Sequence, residues 1–131
     1  MASIPVGASG KKSVVVTPEI AVDFLGSDNA RVLGTPFLIM LLEMTSRDTM
    51  KPFLDEGYDS VGTHVDVKHL AATPLGMSAT FHAEVLEVND RKVRFKVEAF
   101  DEREKIAEGY HERFVVHVER FAGRLMAKMR G

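Results

Sequence analysis

The apolar run Phe37-Leu38-Ile39-Met40-Leu41-Leu42, broken by a single carboxylate at Glu43 and resumed at Met44, limits what this chain can fold into. Thr35 can cap a helix N-terminus through its hydroxyl, and Pro36 suits the first helical turn, where its missing N–H has no partner to lose. The run is therefore predicted to be one helix from Pro36 to about Phe53, with Pro52 close to its end. A helix that is apolar on every side is buried within a fold. A buried carboxylate is costly unless it is paired or hydrogen-bonded, so Glu43 is the residue to be explained.

Before the helix, residues 1–12 are small and polar and are expected to be a flexible tail. Ser13 to Val16 is a β-branched run suited to a first strand. Thr17 and Pro18 repeat the helix-start pattern, which predicts a short helix towards Phe24. From Val61 the period changes from helical to alternating. Val61, Thr63, Val65, Val67 and His69 fall on one face of the first strand, predicted to be the buried one, and Gly62 falls on the other. A strand from about Met77 to Val88 turns at Asn89-Asp90-Arg91 into a partner carrying Val93, Phe95, Val97 and Ala99, the clearest hairpin in the chain. The last strand runs from about Lys105 to Val118, with a bulge expected near Gly109. Phe121, Leu125 and Met129 beyond it have helical spacing, and the state of that segment stays open.

This order is one strand, one helix and four strands, placed in a single domain over residues 13–131. An antiparallel sheet must cover its apolar face, and only the Pro36 helix can do so. The expected fold class is α+β, an antiparallel sheet wrapped around one long central helix, the arrangement called a hot-dog. One such layer leaves sheet edges and helix surface unprotected, so a homodimer is expected, with pairing into a tetramer left open.

Composition removes several function classes. The 131 residues carry a net charge of -2, which gives no electrostatic reason for binding nucleic acid or an anionic membrane. The absence of cysteine removes disulfides, thiolate catalysis and thiolate metal sites. The N-terminus does not read as a signal peptide, and the longest apolar run is far below the ~20 residues that span a bilayer. A soluble, cytoplasmic protein is the expectation.

Two readings of Glu43 stand side by side. It can pair with Arg47 at i+4 on a partly exposed strip, worth about 0.2 to 0.5 kcal/mol. Alternatively it is held in an apolar cleft as a general base or nucleophile. His69 is the second candidate, because its strand face is the one that meets the helix; its plainer reading is a satisfied core histidine. His64 and His69 are predicted on opposite faces, and His111 and His117 lie about 20 Å apart at ~3.3 Å per residue, so no shared metal ion is expected. No nucleophile-elbow or phosphate-loop motif occurs.

The segments Gly34-Thr35-Pro36-Phe37 with Glu43, Val61-Gly62-Thr63, Lys68 to Gly76 with its His-x-Ala-Ala-Thr-Pro-x-Gly pattern, and Gly109-Tyr110-His111-Glu112-Arg113 together resemble the fluoroacetyl-CoA thioesterase group of hot-dog proteins. The resemblance covers most of the chain from Thr35 onward. It implies acyl-CoA thioester hydrolysis with Thr35, Glu43 and His69 as catalytic residues, and functional roles for Gly62 and Arg113 in substrate or oxyanion binding. It implies no cofactor beyond the coenzyme A of the substrate. Phe24 is the only aromatic residue between Lys11 and Gly34, where the family member that hydrolyses fluoroacetyl-CoA has a longer aromatic lid. Two other functions fit a carboxylate and a histidine on this fold: an enoyl-CoA hydratase or dehydratase, and a non-catalytic acyl-CoA-binding protein. Thr35 and Glu43 lie about 12 Å apart along a helix at ~1.5 Å per residue. Joint action thus predicts a two-fold dimer that brings Thr35 of one subunit towards Glu43 and His69 of the other.

Overall fold

A computed structural model describes residues 3–131. Five strands, β1 (Ser9–Val15), β2 (Tyr58–His69), β3 (Ser78–Asn89), β4 (Lys92–Asp101) and β5 (Lys105–His117), form one sheet in the order β1-β3-β4-β5-β2. Every neighbouring pair is antiparallel. Helix α1 (Thr35–Met50) lies against the sheet and ends in a single 3-10 turn, Lys51–Phe53. Helix α2 (Val118–Arg130) follows β5, which settles the segment the sequence left open. Among the described residues no helix is long and apolar enough to cross a membrane.

The alternation of β3 and β4 builds the core. Ala79, Phe81 and Val85 on β3 and Val93, Phe95, Val97 and Ala99 on β4 are fully buried, and Leu38, Leu42 and Met50 of α1 pack onto them. Burying a side chain of this size contributes roughly 1.5 to 3 kcal/mol. Thr45, Ser46 and Thr49 are buried on the same helix face; their hydroxyls donate to the carbonyls of Leu41, Leu42 and Thr45, so no donor is stranded.

Several expectations change here. The first strand begins at Ser9, not Ser13, because Ser9 to Val15 pairs along its whole length with Glu84 to Ser78. Within the expected flexible tail, the first two residues lie outside those described. The helix expected from Pro18 to Phe24 is one 3-10 turn, Pro18–Ile20. The next residues turn extended because Val22 N–H donates to Val32 C=O and Ala21 bridges to Leu33. Helix α1 is not enclosed on all sides: Met40 and Met44 are 42% and 41% exposed.

The strands contain bulges, but none at Gly109, which pairs in register with both Val67 and Val97. A glycine is required there for a different reason, since a Cβ would overlap the Asp66 carbonyl oxygen. The bulge that matters most is at Thr63, where the β2–β5 register shifts between Gly62 and His64. Such an insertion reverses the facing of every later residue in the strand. Ser60 and Gly62 therefore face the helix upstream of Thr63, and His69 faces it downstream, so the predicted single face from Val61 to His69 is split.

Candidate active site

The N-terminus of α1 and the end of β2 are tied together by the loop that follows β2. Leu33 N–H donates to Thr73 C=O and Leu75 N–H to Arg31 C=O, so the Thr-Pro loop pairs with the segment that leads into α1. Thr73 is fully buried and donates its hydroxyl to Asp101 at 3.0 Å, which fixes the loop on the β4 end. This scaffold sets Thr35 beside His69: Thr35 Oγ1 and His69 Nδ1 share a hydrogen bond of 2.8 Å. Gly34, not Thr35, is the N-cap, and no side chain caps the helix. The Thr35 hydroxyl is free of the capping role the sequence predicted for it and serves His69 instead. Burial lowers the His69 pKa, against a backbone hydrogen bond with Ala71 that raises it. Its Nε2 is buried and has no hydrogen-bond partner, a condition rare for a buried polar atom.

Glu43 occupies a second centre, two turns along α1. Its Oε1 lies 3.6 Å from Arg113 Nη1 and 3.8 Å from His111 Nε2, too long for hydrogen bonds but close enough for charge contact. The Glu43–Arg47 pair, one of the two readings of that carboxylate, does not form. Arg47 turns the other way and grips Asp59 through two bonds of 3.1 and 2.7 Å, with Asp48 also in reach. Burial opposes it, yet this fork holds the Asp59 carboxyl below its ordinary range.

Arg113 is buried and held from three sides. Nε donates to Ser60 Oγ at 2.8 Å, Nη2 to Ser60 C=O at 2.9 Å, and Nη1 contacts His111 Nε2 at 3.2 Å. Desolvation lowers its pKa while Glu43 and Asp59 raise it, and a guanidinium stays protonated in either case. The result is an oriented cation beside a carboxylate whose side chain is 37% exposed.

Gly62 makes this possible. A Cβ there would overlap Glu43 Oε1 and sit 3.2 Å from His111 Cε1. Gly62→Ala should displace the carboxylate, lowering turnover by about tenfold or more while costing about 1 to 3 kcal/mol of stability. Steady-state rates and thermal denaturation of that variant check both.

Thus Thr35 and His69 meet within one chain, Glu43, Gly62 and Arg113 meet at a separate centre, and the two centres do not touch. The expectation that Thr35 of one subunit reaches His69 of another is corrected: the chain makes that contact with itself. Sequence reasoning did not place Ser60 beside Arg113 or His111 beside Arg113 and Glu43. Their signal was present, because His111 and Arg113 are two apart on one strand and so share a face. His111 was weighed only as a metal ligand. Among the described residues no three His, Asp or Glu side chains are grouped as a metal ion would need.

Comparison with known proteins finds relatives of the whole chain. The family model described as fluoroacetyl-CoA-specific thioesterase matches residues 16–119. The fluoroacetyl-CoA thioesterase of Streptantibioticus cattleyicolor is 38% identical over 97 residues, 74% of this chain and 70% of that protein. A solved structure of a fluoroacetyl-CoA thioesterase superposes with a TM-score of 0.87 at 33% identity, covering 96% of this chain and 98% of the other. A thioesterase superfamily member from Thermus thermophilus gives a TM-score of 0.87 at 28% identity, covering 99% and 96%.

Proposed function

This chain belongs to the fluoroacetyl-CoA-specific thioesterase family, and on that premise we propose that it hydrolyses acyl-CoA thioesters at a site completed by two copies of the chain. Thr35 and His69 come from one copy, and Glu43, with Gly62 and Arg113 around it, from the other. The observation that carries this reading is the division of the groups within one chain: Thr35 is bonded to His69, while Glu43, about 12 Å further along α1, faces Arg113 and His111 instead. Met40, Glu43, Met44 and Arg47 share one helix face by their spacing of three and four. That face leaves two methionines exposed beside a carboxylate, and a second copy would cover it.

In one route Glu43 takes a proton from a water whose oxygen adds to the thioester carbonyl; the C–S bond breaks to give the acid, and the proton passes through His69 to the coenzyme A sulfur. In the other the Glu43 carboxylate adds, and the C–S bond breaks to leave a glutamyl anhydride and the coenzyme A thiolate. Water then opens the anhydride, releasing the acid, restoring Glu43 and supplying the proton that reaches the sulfur through His69. Thr35 fixes the orientation of the imidazole through Nδ1. Backbone N–H groups near Gly62 or at the α1 N-terminus receive the charge that develops on the carbonyl oxygen.

Purified protein should release free thiol from at least one member of a panel of short-chain, aromatic and long-chain acyl-CoAs. No thiol from any of them overturns the thioesterase reading. The same panel with enoyl-CoAs, read by absorbance without thiol release, would assign a hydratase instead. Single turnover in ¹⁸O-water tests the nucleophilic role of Glu43, because an anhydride opened by water at its glutamyl carbon leaves ¹⁶O from the enzyme in the first product. Thr35→Ala should lower kcat by about a hundredfold, and Thr35→Ser, which keeps the hydroxyl, should retain most of it.

A further inference from the structure

One buried titratable group has no part in the reaction as written. His111 is 1% exposed and lies in the centre that holds Glu43. Its Nδ1 is 2.8 Å from the His64 carbonyl oxygen, which can only accept, so Nδ1 carries the proton. Its Nε2 is 3.2 Å from Arg113 Nη1, which can only donate, so Nε2 presents a lone pair. The two neighbours therefore specify one neutral tautomer. The ring stacks on Phe95, with centroids 6.3 Å apart and planes inclined by 27°, which prevents it from turning aside.

The consequence falls on Arg113. A guanidinium is planar, and Ser60 already fixes Nε and Nη2. When His111 accepts one N–H of Nη1, the plane is held at all three nitrogens, and the remaining Nη1 N–H is left on the side of Glu43 Oε1. Resting on the thioesterase reading above, we propose that His111 is a positioning residue: as a neutral acceptor it aims the Arg113 guanidinium at Glu43, and so fixes the carboxylate for reaction. Protonation of Nε2 would reverse this. The ring would become a donor, repel Arg113 and turn its new N–H to Glu43. The charged groups that face His111 are Glu43 from α1 and Arg113 and Glu112 from β5; β2 presents the His64 carbonyl and β4 the Phe95 ring. Burial, the largest influence, and Arg113 lower the pKa of the ring and favour its neutral form, against the pull of the His64 carbonyl and the two glutamates.

Two variants separate positioning from simple packing. Gln places an amide oxygen near Nε2 and cannot titrate; Leu fills the site without an acceptor. His111→Gln should keep kcat within about threefold of wild type, and His111→Leu should lose about tenfold or more in kcat with KM changed less than about twofold. With His111 required neutral, His111→Gln should remove one protonation from the acid limb of log kcat/KM, making its slope shallower than that of wild type by about 1. Independently of turnover, the Arg113 side-chain N–H resonances in ¹⁵N NMR should be resolved in wild type and His111→Gln and collapse by exchange in His111→Leu. Wild-type protein that releases no thiol fails the thioesterase reading, and the guanidinium spectra alone then decide the positioning role. Unchanged Arg113 resonances in His111→Leu, or an acid limb in His111→Gln identical to wild type, overturn it.

Discussion

Glu43→Ala and His69→Ala should each lose about a hundred- to ten-thousand-fold in kcat, and a mixture of the two inactive proteins should recover activity. The recovery follows from geometry. His69 is bonded to Thr35 of its own chain, and Glu43 sits at the other centre against Arg113 and His111. If each site takes Thr35 and His69 from one copy and Glu43 from the other, a heterodimer of the variants has one intact site and one doubly broken site. Random exchange of subunits makes about half the dimers heterodimers, so the mixture should reach about a quarter of wild-type activity. Co-expression with two affinity tags, followed by a thiol-release assay on the doubly tagged species, measures it directly. A doubly tagged heterodimer without activity would show that the two centres do not combine across the dimer.

Arg113→Ala should be the most damaging substitution for the fold as well as the site. Arg113 is 6% exposed, and its guanidinium satisfies Ser60 twice and His111 once. Its removal leaves a cavity, a buried Ser60 carbonyl and hydroxyl without their donors, and Glu43 without its cation. Each buried polar group left unsatisfied costs about 1 to 3 kcal/mol, so a loss of about 3 to 5 kcal/mol is expected in urea unfolding. Arg113→Lys separates charge from shape. It restores a cation but not the planar fork that spans Ser60 and His111, and should recover stability better than kcat. Equal recovery of both would show that charge alone is what Glu43 needs.

Acidification should weaken the folded state through two imidazoles, the buried His111 and the half-buried His69. Both His69 and His111 have pKa values lowered by burial. The unfolded chain therefore binds protons that the native state refuses, and stability falls as pH drops from the ordinary imidazole range through the lowered values. The activity and stability limbs thus share an origin.

The layout of the fold was legible because its signals are local. Alternation in Ala79 to Val85 and Val93 to Ala99 marks two strands and their buried faces without knowledge of the rest of the chain, and all but Ala83, at 2%, are fully buried in the structure. The helix was equally plain from Thr35-Pro36 and the run that follows. Local rules failed where a backbone irregularity intervened. Strict alternation places Gly62 and His69 on opposite faces of β2, and one extra residue at Thr63 puts both on the helix side. No periodicity announces a bulge at a threonine, because the insertion is set by the pairing of β2 with β5.

The sequence by itself determined that one long helix lies on an antiparallel sheet; it singled out Glu43 and His69 as candidates, and the family resemblance added Thr35. Only the tertiary structure decided who meets whom. Nearest-neighbour spacing offered Glu43 the cation at Arg47, four residues away, but Asp59 takes Arg47, and Glu43 faces Arg113, seventy positions later in the chain. The Thr35 hydroxyl was a helix cap by its position and became the anchor of His69 because the Thr-Pro loop brings β2's end to α1's start. Spacing along a chain fixes which side chains share a face; it does not fix which faces are brought together, since that depends on strand register and on loops that close over long separations.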